Sequence, residues 1–192
     1  MAYYYPGRSA QSRITEAQLV GKRLSLKDAE IFGLTWDVFV SHGSTDIRLA
    51  EEVASRIQDC DLSVWLDSVY LHPNEDDPEL ASEISEVISR SFSLMAVVTD
   101  ATKDSWWVPF EIGLAFELKR YLASYGNYTE LPSFLWKWPN VSDYADLDKW
   151  CRQIKRLKMK YEPSYLNERV DISDSQRQSY AMEMGTMAIL FS

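Results

Sequence analysis

From Trp36 onward, short apolar runs alternate with longer stretches in which apolar residues recur every three or four positions. Trp36-Asp37-Val38-Phe39-Val40-Ser41 is β-branched and aromatic and runs into the polar His42-Gly43-Ser44-Thr45-Asp46, which predicts a buried strand and a loop. Leu49, Ala50, Val53, Ala54 and Ile57 then repeat at helical spacing, with Ser44, Thr45 or Asp46 as candidate caps. A second strand is predicted over Leu62 to Leu66, closing at Asp67 and followed by a polar loop, Ser68 to Asp77. Asp77 as N-cap and Pro78 at the first helical position open a second helix with Leu80, Ile84, Val87 and Ile88 on its inner face. Ser93-Leu94-Met95-Ala96-Val97-Val98-Thr99 has the composition of a strand covered on both faces. The next helix carries Trp107, Glu111, Leu114, Ala115 and Leu118 on one face. Phe110, Ile112 and Phe116 lie between them, so it is expected to be buried nearly all round. A fourth strand is expected at Ser133 to Trp136 and a last helix over Tyr144 to Met159.

Strand and helix alternate four times, the order of a parallel sheet with helices on both faces and right-handed crossovers. Residues 1–34 are read as an N-terminal extension outside the sheet. Within it Tyr3-Tyr4-Tyr5-Pro6-Gly7 precedes a stretch of mixed helical character from Thr15 to Ala29. Residues 35–160 form the domain, and residues 161–192 a C-terminal extension. In such sheets ligands sit beyond the carboxyl ends of the strands. That rule gathers His42 to Asp46, Asp67 to Asp77 and Asp100 to Glu111 on one rim, with Glu111 beside the cleft.

Glu111 is the residue that calls for explanation. Taking a carboxylate out of water costs several kcal/mol unless it is paired, hydrogen-bonded or opened to a cleft, so one set among apolar neighbours is a functional candidate. The bland alternative places it in the first helical turn, where an acidic group favours the helix dipole.

Composition narrows the chemistry. A net charge of −9 argues against a nucleic-acid partner. The one basic run, Arg152 to Lys160, reads as the solvated face of the last helix. Two cysteines, Cys60 and Cys151, lie outside any metal or disulfide spacing and read as small apolar residues, so no metal site is expected. No apolar run approaches the roughly eighteen residues of a membrane span, and no signal pattern opens the chain, so the cytoplasm is the expected compartment with no membrane partner. Neither GxGxxG nor GxxxxGK[ST] nor GxSxG occurs, which disfavours a hydride carrier, a P-loop NTPase and a Ser/His/Asp hydrolase. One carboxylate with aromatics is enough for one chemistry, cleavage of an N-glycosidic bond with a good leaving group through an oxocarbenium-like transition state. Nicotinamide is such a group, because it is a cation when bound and leaves neutral. Trp107, one turn before Glu111, is placed either to stack on a flat ring or to fill the core.

Trp36-Asp37-Val38-Phe39-Val40-Ser41-His42, Trp65-Leu66-Asp67 and Ser105-Trp106-Trp107-Val108-Pro109-Phe110-Glu111 resemble, in order and spacing, the three successive motifs of a TIR domain. The resemblance covers roughly Thr35 to Leu135. It implies an α/β, flavodoxin-like three-layer fold with a central parallel sheet, here with helical N- and C-terminal extensions. It also implies cleavage of NAD, as substrate and not cofactor, to nicotinamide and an ADP-ribose product. On that resemblance the catalytic glutamate is Glu111, and Ser41, His42, Gly43, Ser44, Asp67, Ser105 and Trp107 bind substrate. The short chain further resembles the TIR component of a Thoeris-like antiphage system, implying a homo-oligomer whose product activates an effector protein. Where the family has Pro-Gly in its flexible loop this chain has Pro73-Asn74, followed by the acidic Glu75, Asp76 and Asp77. A non-enzymatic interaction module and a nucleoside deoxyribosyltransferase-like enzyme are the competing readings. A receiver domain phosphorylated on Asp67 fits less well, because no acidic pair follows the first strand.

Overall fold

A computed structural model describes residues 3–5, 35–66, 78–126, 135, 137–165 and 182. The elements are β1 (Tyr3–Tyr5), β2 (Trp36–His42), α1 (Ile47–Asp59), β3 (Val64–Leu66), α2 (Pro78–Ser89), β4 (Ser91–Val97), α3 (Trp107–Glu117), β5 (Tyr121–Tyr125), β6 (Asn140–Val141) and α4 (Tyr144–Tyr165). Single 3₁₀ turns precede α1 (Ser44–Asp46) and α3 (Asp100–Asp104). The sheet runs β1-β3-β2-β4-β5-β6. β2 to β6 are parallel, and every residue of β2, β3, β4 and β5 is buried, as expected of strands covered on both faces. α1 packs with α4, and α2 with α3. This is the parallel α/β sheet expected from the alternation of patterns, in the flavodoxin-like arrangement that the resemblance implies.

Three strands lie where the sequence pattern did not put them: β1, β5 and the two-residue β6, which pairs with β5. Tyr3–Tyr5, expected outside the sheet, pairs antiparallel with β3 in the register Tyr3↔Leu66 to Tyr5↔Val64. Three aromatic residues are strong strand formers, and an edge position asks for one partner only. The fourth long strand is Tyr121–Tyr125 and not Ser133 to Trp136. It pairs with β4 from Ser93↔Tyr121 to Val97↔Tyr125, whereas Leu135 lies in a 3₁₀ turn and residues 133, 134 and 136 lie outside the described residues. The chain is able to enter β5 so soon because α3 ends in a Schellman motif. Arg120 N–H donates to Ala115 O at 2.9 Å, Lys119 N–H donates to Phe116 O at 3.1 Å, and Lys119 takes φ 57°. The mixed helical stretch Thr15 to Ala29 and the proposed cap Asp77 also lie outside the described residues.

The core joins the inner faces of both helix pairs to the sheet. Trp36 and Trp65 meet edge-on at 4.6 Å between neighbouring strands, and Leu147, Trp150 and Ile154 on α4 are fully buried at helical spacing. At the amino end of the sheet Asp37 accepts from Ser63 N–H at 2.7 Å and pairs with Lys158 Nζ at 2.5 Å, tying α4 to β2.

α1 and α4 are joined by a fork in which Arg56 Nε and Nη2 donate to the two carboxylate oxygens of Asp148 at 2.8 and 2.6 Å. That guanidinium holds the Asp148 carboxyl below its usual range. A carboxylate depressed in the folded state adds stability above its unfolded pKa of about 3.9, and that stability fades as pH falls through the lower folded value. Asp148→Asn is therefore expected to be slightly less stable than wild type in urea at pH 7, the gap closing in strong acid. A gap of constant size across that range would show that the carboxylate charge is not its source.

Candidate functional site

The strand order reverses between β2 and β4, since the chain leaves β2 toward β3 and leaves β4 toward β5. The carboxyl ends of β2 and β4 therefore form the switch point of the sheet, where the crossovers diverge and a crevice is expected. β2 ends there in Ser41-His42. β4 leads through Val98 and Thr99 into the 3₁₀ turn, then Ser105 and α3.

Thr99 organises the second of these loops. Its hydroxyl accepts from Ala101 N–H at 3.1 Å, and Thr102 Oγ1 accepts from Thr99 N–H at 2.9 Å, a reciprocal capping box. The Thr99 hydroxyl also donates to the Asp46 carboxylate, whose two oxygens lie 3.0 Å away. Asp46 is one of the three candidate caps of α1. It occupies the N-cap position, yet its side chain makes no cap hydrogen bond and turns instead to the loop after β4. A hydroxyl donating to a carboxylate is among the stronger hydrogen bonds, and here it ties the loops after β2 and β4 to each other.

Gly43 lies in the resulting contact. A Cβ built on it would come to 3.5 Å from Asp46 Oδ2 and 3.9 Å from the Ser105 Cβ, so the backbone after β2 abuts the residue that opens α3. Ser105 Oγ accepts from Val108 N–H at 3.3 Å, satisfying one of the free amides at the start of the helix. Ser44 is exposed on the first 3₁₀ turn.

Glu111 is the fifth residue of α3, and no acidic residue occupies the first turn, so the dipole explanation does not apply to it. Its side chain is covered, at 1% exposure, with Val108, Ile112 and Ala115 buried on the same side. Ser41 Oγ at the end of β2 donates to Glu111 Oε2. The catalytic candidate and one substrate-binding candidate are thus in direct contact, across 70 positions of sequence. That the carboxylate is covered in this way is not encoded in residue spacing.

The outer side of α3 also departs from expectation. The helix is not buried all round: Phe110 is 43% and Phe116 48% exposed, and Trp106, just before the helix, is 91% exposed. Trp107 is half-buried and meets Phe110 edge-on at 5.8 Å. His42 is buried. Its Nδ1 lies 2.8 Å from Gly43 O, and a carbonyl only accepts, so Nδ1 is the donor. Its Nε2 has no hydrogen-bond partner among the described residues. Asp67, the remaining candidate, lies outside the described residues together with the loop Ser68 to Asp77. Sequence reasoning did not connect Asp46 with Thr99 and Thr102, although the Thr-x-x-Thr spacing is a legible cap. Among the described residues no three His, Cys, Asp or Glu side chains gather to hold a metal ion, and no helix is long and apolar enough to cross a membrane.

Similarity to known proteins follows the same outline. No curated protein sequence matches the chain. Among solved structures it is similar to the TIR domains of the activated Roq1 resistosome that recognises the pathogen effector XopQ. The identity is 16% and the TM-score 0.40, over 81% of this chain and 85% of that one. A metazoan TIR-STING receptor from C. gigas, in complex with 2',3'-cGAMP, is also 16% identical with TM-score 0.46. That match covers 77% of this chain but only 51% of the receptor. A diflavin flavoprotein A3 from Nostoc sp. is 13% identical with TM-score 0.42, covering 67% of this chain and 99% of that one. The family model described as TIR domain matches residues 38–157 of the 192, from the first parallel strand into the last helix. With that match over more than half its length, the chain belongs to the TIR domain family.

Proposed function

We propose that this chain cleaves NAD at the bond between nicotinamide and ribose, releasing nicotinamide and an ADP-ribose-derived product. The observation that carries the reading is the Glu111 carboxylate, buried at the switch point of the sheet and held by the Ser41 hydroxyl. The carbon–nitrogen bond breaks heterolytically, and nicotinamide takes the electron pair and leaves neutral. Positive charge then develops on the ribosyl carbon and ring oxygen, and a carboxylate in a water-poor site stabilises it far better than bulk water does. Water attacking that carbon, with loss of a proton, gives ADP-ribose. A nucleophile from the same molecule gives a cyclic isomer, and which of them attacks depends on the geometry of the bound sugar.

Because Glu111 is covered and bonded to Ser41, substrate binding in this reading exchanges the Ser41 hydrogen bond for contacts with the sugar. His42, Gly43, Ser44, Asp67, Ser105 and Trp107 are proposed to line the site. The biological role in this reading is production of a signalling nucleotide in bacterial antiphage defence, by a homo-oligomer whose product activates an effector protein. Incubation of the protein with NAD, followed by chromatography and mass spectrometry, tests the reaction and identifies the product. Absence of nicotinamide at high protein concentration, where assembly is favoured, would remove the enzymatic reading.

One observation favours a non-enzymatic interaction module instead. Trp106, Phe110 and Phe116 expose aromatic surface on and beside α3 while Glu111 is covered, and exposed apolar surface of this kind marks contact sites. In that case substitution of Glu111 leaves biological activity intact, while substitution of Trp106 and Phe110 removes it.

A further inference from the structure

Ser41 is not the only hold that the end of β2 has on the helix carrying Glu111. Further along the same loop, Asp46 reaches that helix by a second route. Its N–H donates to Gly43 O at 2.9 Å, closing the first 3₁₀ turn, and its half-buried carboxylate faces the loop after β4. The Thr99 hydroxyl donates to it with both oxygens at 3.0 Å, and the Thr102 hydroxyl lies 3.5 Å from Oδ2. These are the two hydroxyls of the capping box, and each also accepts a backbone N–H, from Ala101 and from Thr99. A hydroxyl that accepts an amide still has its own proton to place, and here one carboxylate takes both protons. Asp46 gives up the cap of its own helix to do so.

From the box the connection runs on into α3. Ser105 N–H donates to Thr102 O at 3.0 Å, and Ser105 Oγ accepts from Val108 N–H at 3.3 Å. Val108 lies one helical turn before Glu111. The start of α3 is therefore located against β2 at two points, directly by Ser41 on Glu111 and indirectly by Asp46 on the loop that opens the helix.

We propose that Asp46 is a positioning residue for Glu111. By holding the loop after β4 against the loop after β2, it fixes where the carboxylate stands relative to the ribosyl carbon. The inference rests on the reading that the chain cleaves NAD at Glu111, and it names a residue that acts in that reaction without touching substrate. A carboxylate stabilises developing charge best when it is already in place and need not reorganise. If its helix is free to shift, the chemical step slows, while substrate binding, spread over other contacts, is kept.

The test combines steady-state nicotinamide release with hydrogen exchange of the amides of residues 105–111. Asp46→Ala is expected to lower kcat by about 10²-fold with KM within about threefold of wild type. Exchange of residues 105–111 is expected to quicken by about tenfold or more. Thr99→Val leaves the Asp46 charge in place and is expected to match both effects. The double variant is expected to be no slower than the slower single variant, because both changes remove the same tie. Asp46→Asn keeps an oxygen for the Thr99 hydroxyl, and Thr99→Ser keeps the hydroxyl, so each is expected to stay within about fivefold of wild type in kcat. A loss confined to KM, or a Thr99→Val enzyme as fast as wild type beside a slow Asp46→Ala, overturns the proposal, since either makes Asp46 a contact of the substrate. Asp46→Ala with the turnover or the exchange of wild type overturns it too. Wild type that releases no nicotinamide overturns the NAD reading and the proposal with it, so the two failures are told apart by the wild-type rate.

Discussion

Glu111→Gln is expected to lower nicotinamide release from NAD by about 10³-fold or more while the chain remains folded. Preorganised groups that meet charge developing in a transition state are each worth about 3–4 kcal/mol when removed, and here a full negative charge is lost in a water-poor site. The amide is the right substitute because it keeps the shape of the carboxylate. Its oxygen still accepts the Ser41 hydroxyl, so the contact between α3 and the end of β2 survives. Glu111→Ala would instead leave a hole next to Val108, Ile112 and Ala115 and confuse loss of fold with loss of charge. A melting temperature within a few degrees of wild type, together with the collapse of turnover, assigns the effect to charge. Turnover within tenfold of wild type would take Glu111 out of the reaction.

The parts of the fold that were legible in the sequence are those whose burial is two-sided or periodic. β2, β3 and β4 read as strands from mostly apolar, β-branched and aromatic runs because helices cover both faces of the sheet, and α1 and α2 read from apolar residues every three or four positions. β1 was not legible, because its partner β3 lies some sixty residues away and three tyrosines beside Pro6-Gly7 carry no periodicity. β5 was missed for a local reason. The apolar character of α3 runs on toward Tyr121 with no glycine to mark its end, since Lys119 takes the left-handed position that glycine usually fills. A second such non-glycine end follows α1, at Asp61 with φ 62°.

At the site, the same reasoning placed Glu111 and the segment His42 to Asp46, which follows Ser41, on one rim, because carboxyl ends of parallel strands converge whatever the loops contain. It did not foresee that Ser41 and Glu111 would touch, because contact between side chains 70 positions apart depends on packing that no spacing in the chain records. Asp46 illustrates the limit. As a residue before a helix it reads as a cap, and only the fold brings the Thr99 hydroxyl close enough to take its carboxylate away.

Gly126→Ala is expected to destabilise the protein by about 3–5 kcal/mol, the largest effect of any single methyl group among the described glycines. Gly126 closes β5 at φ 146°, a backbone conformation that residues with a Cβ rarely adopt. Space is short as well. A Cβ there would fall 2.0 Å from the carbonyl oxygen of Val98 and 3.0 Å from its carbonyl carbon. That neighbour is backbone and has no rotamer through which to yield. The segment is pinned from both sides: Val98 N–H donates to Tyr125 O at 2.8 Å, and Gly126 N–H to Val141 O at 3.3 Å, so relief means giving up pairing at the ends of β4, β5 and β6. Because Val98 leads directly into Thr99, the damage spreads to the loop that holds Asp46 and opens α3. Gly113→Ala is the control. Gly113 is exposed in α3 with nothing within 4 Å of an added Cβ, so alanine there is expected to stabilise by about 0.5–1 kcal/mol through helix propensity. Urea unfolding of both variants tests the pair: opposite signs of the two changes support the reading, and a Gly126→Ala chain within 1 kcal/mol of wild type would mean that the rim yields where the packing says it is rigid.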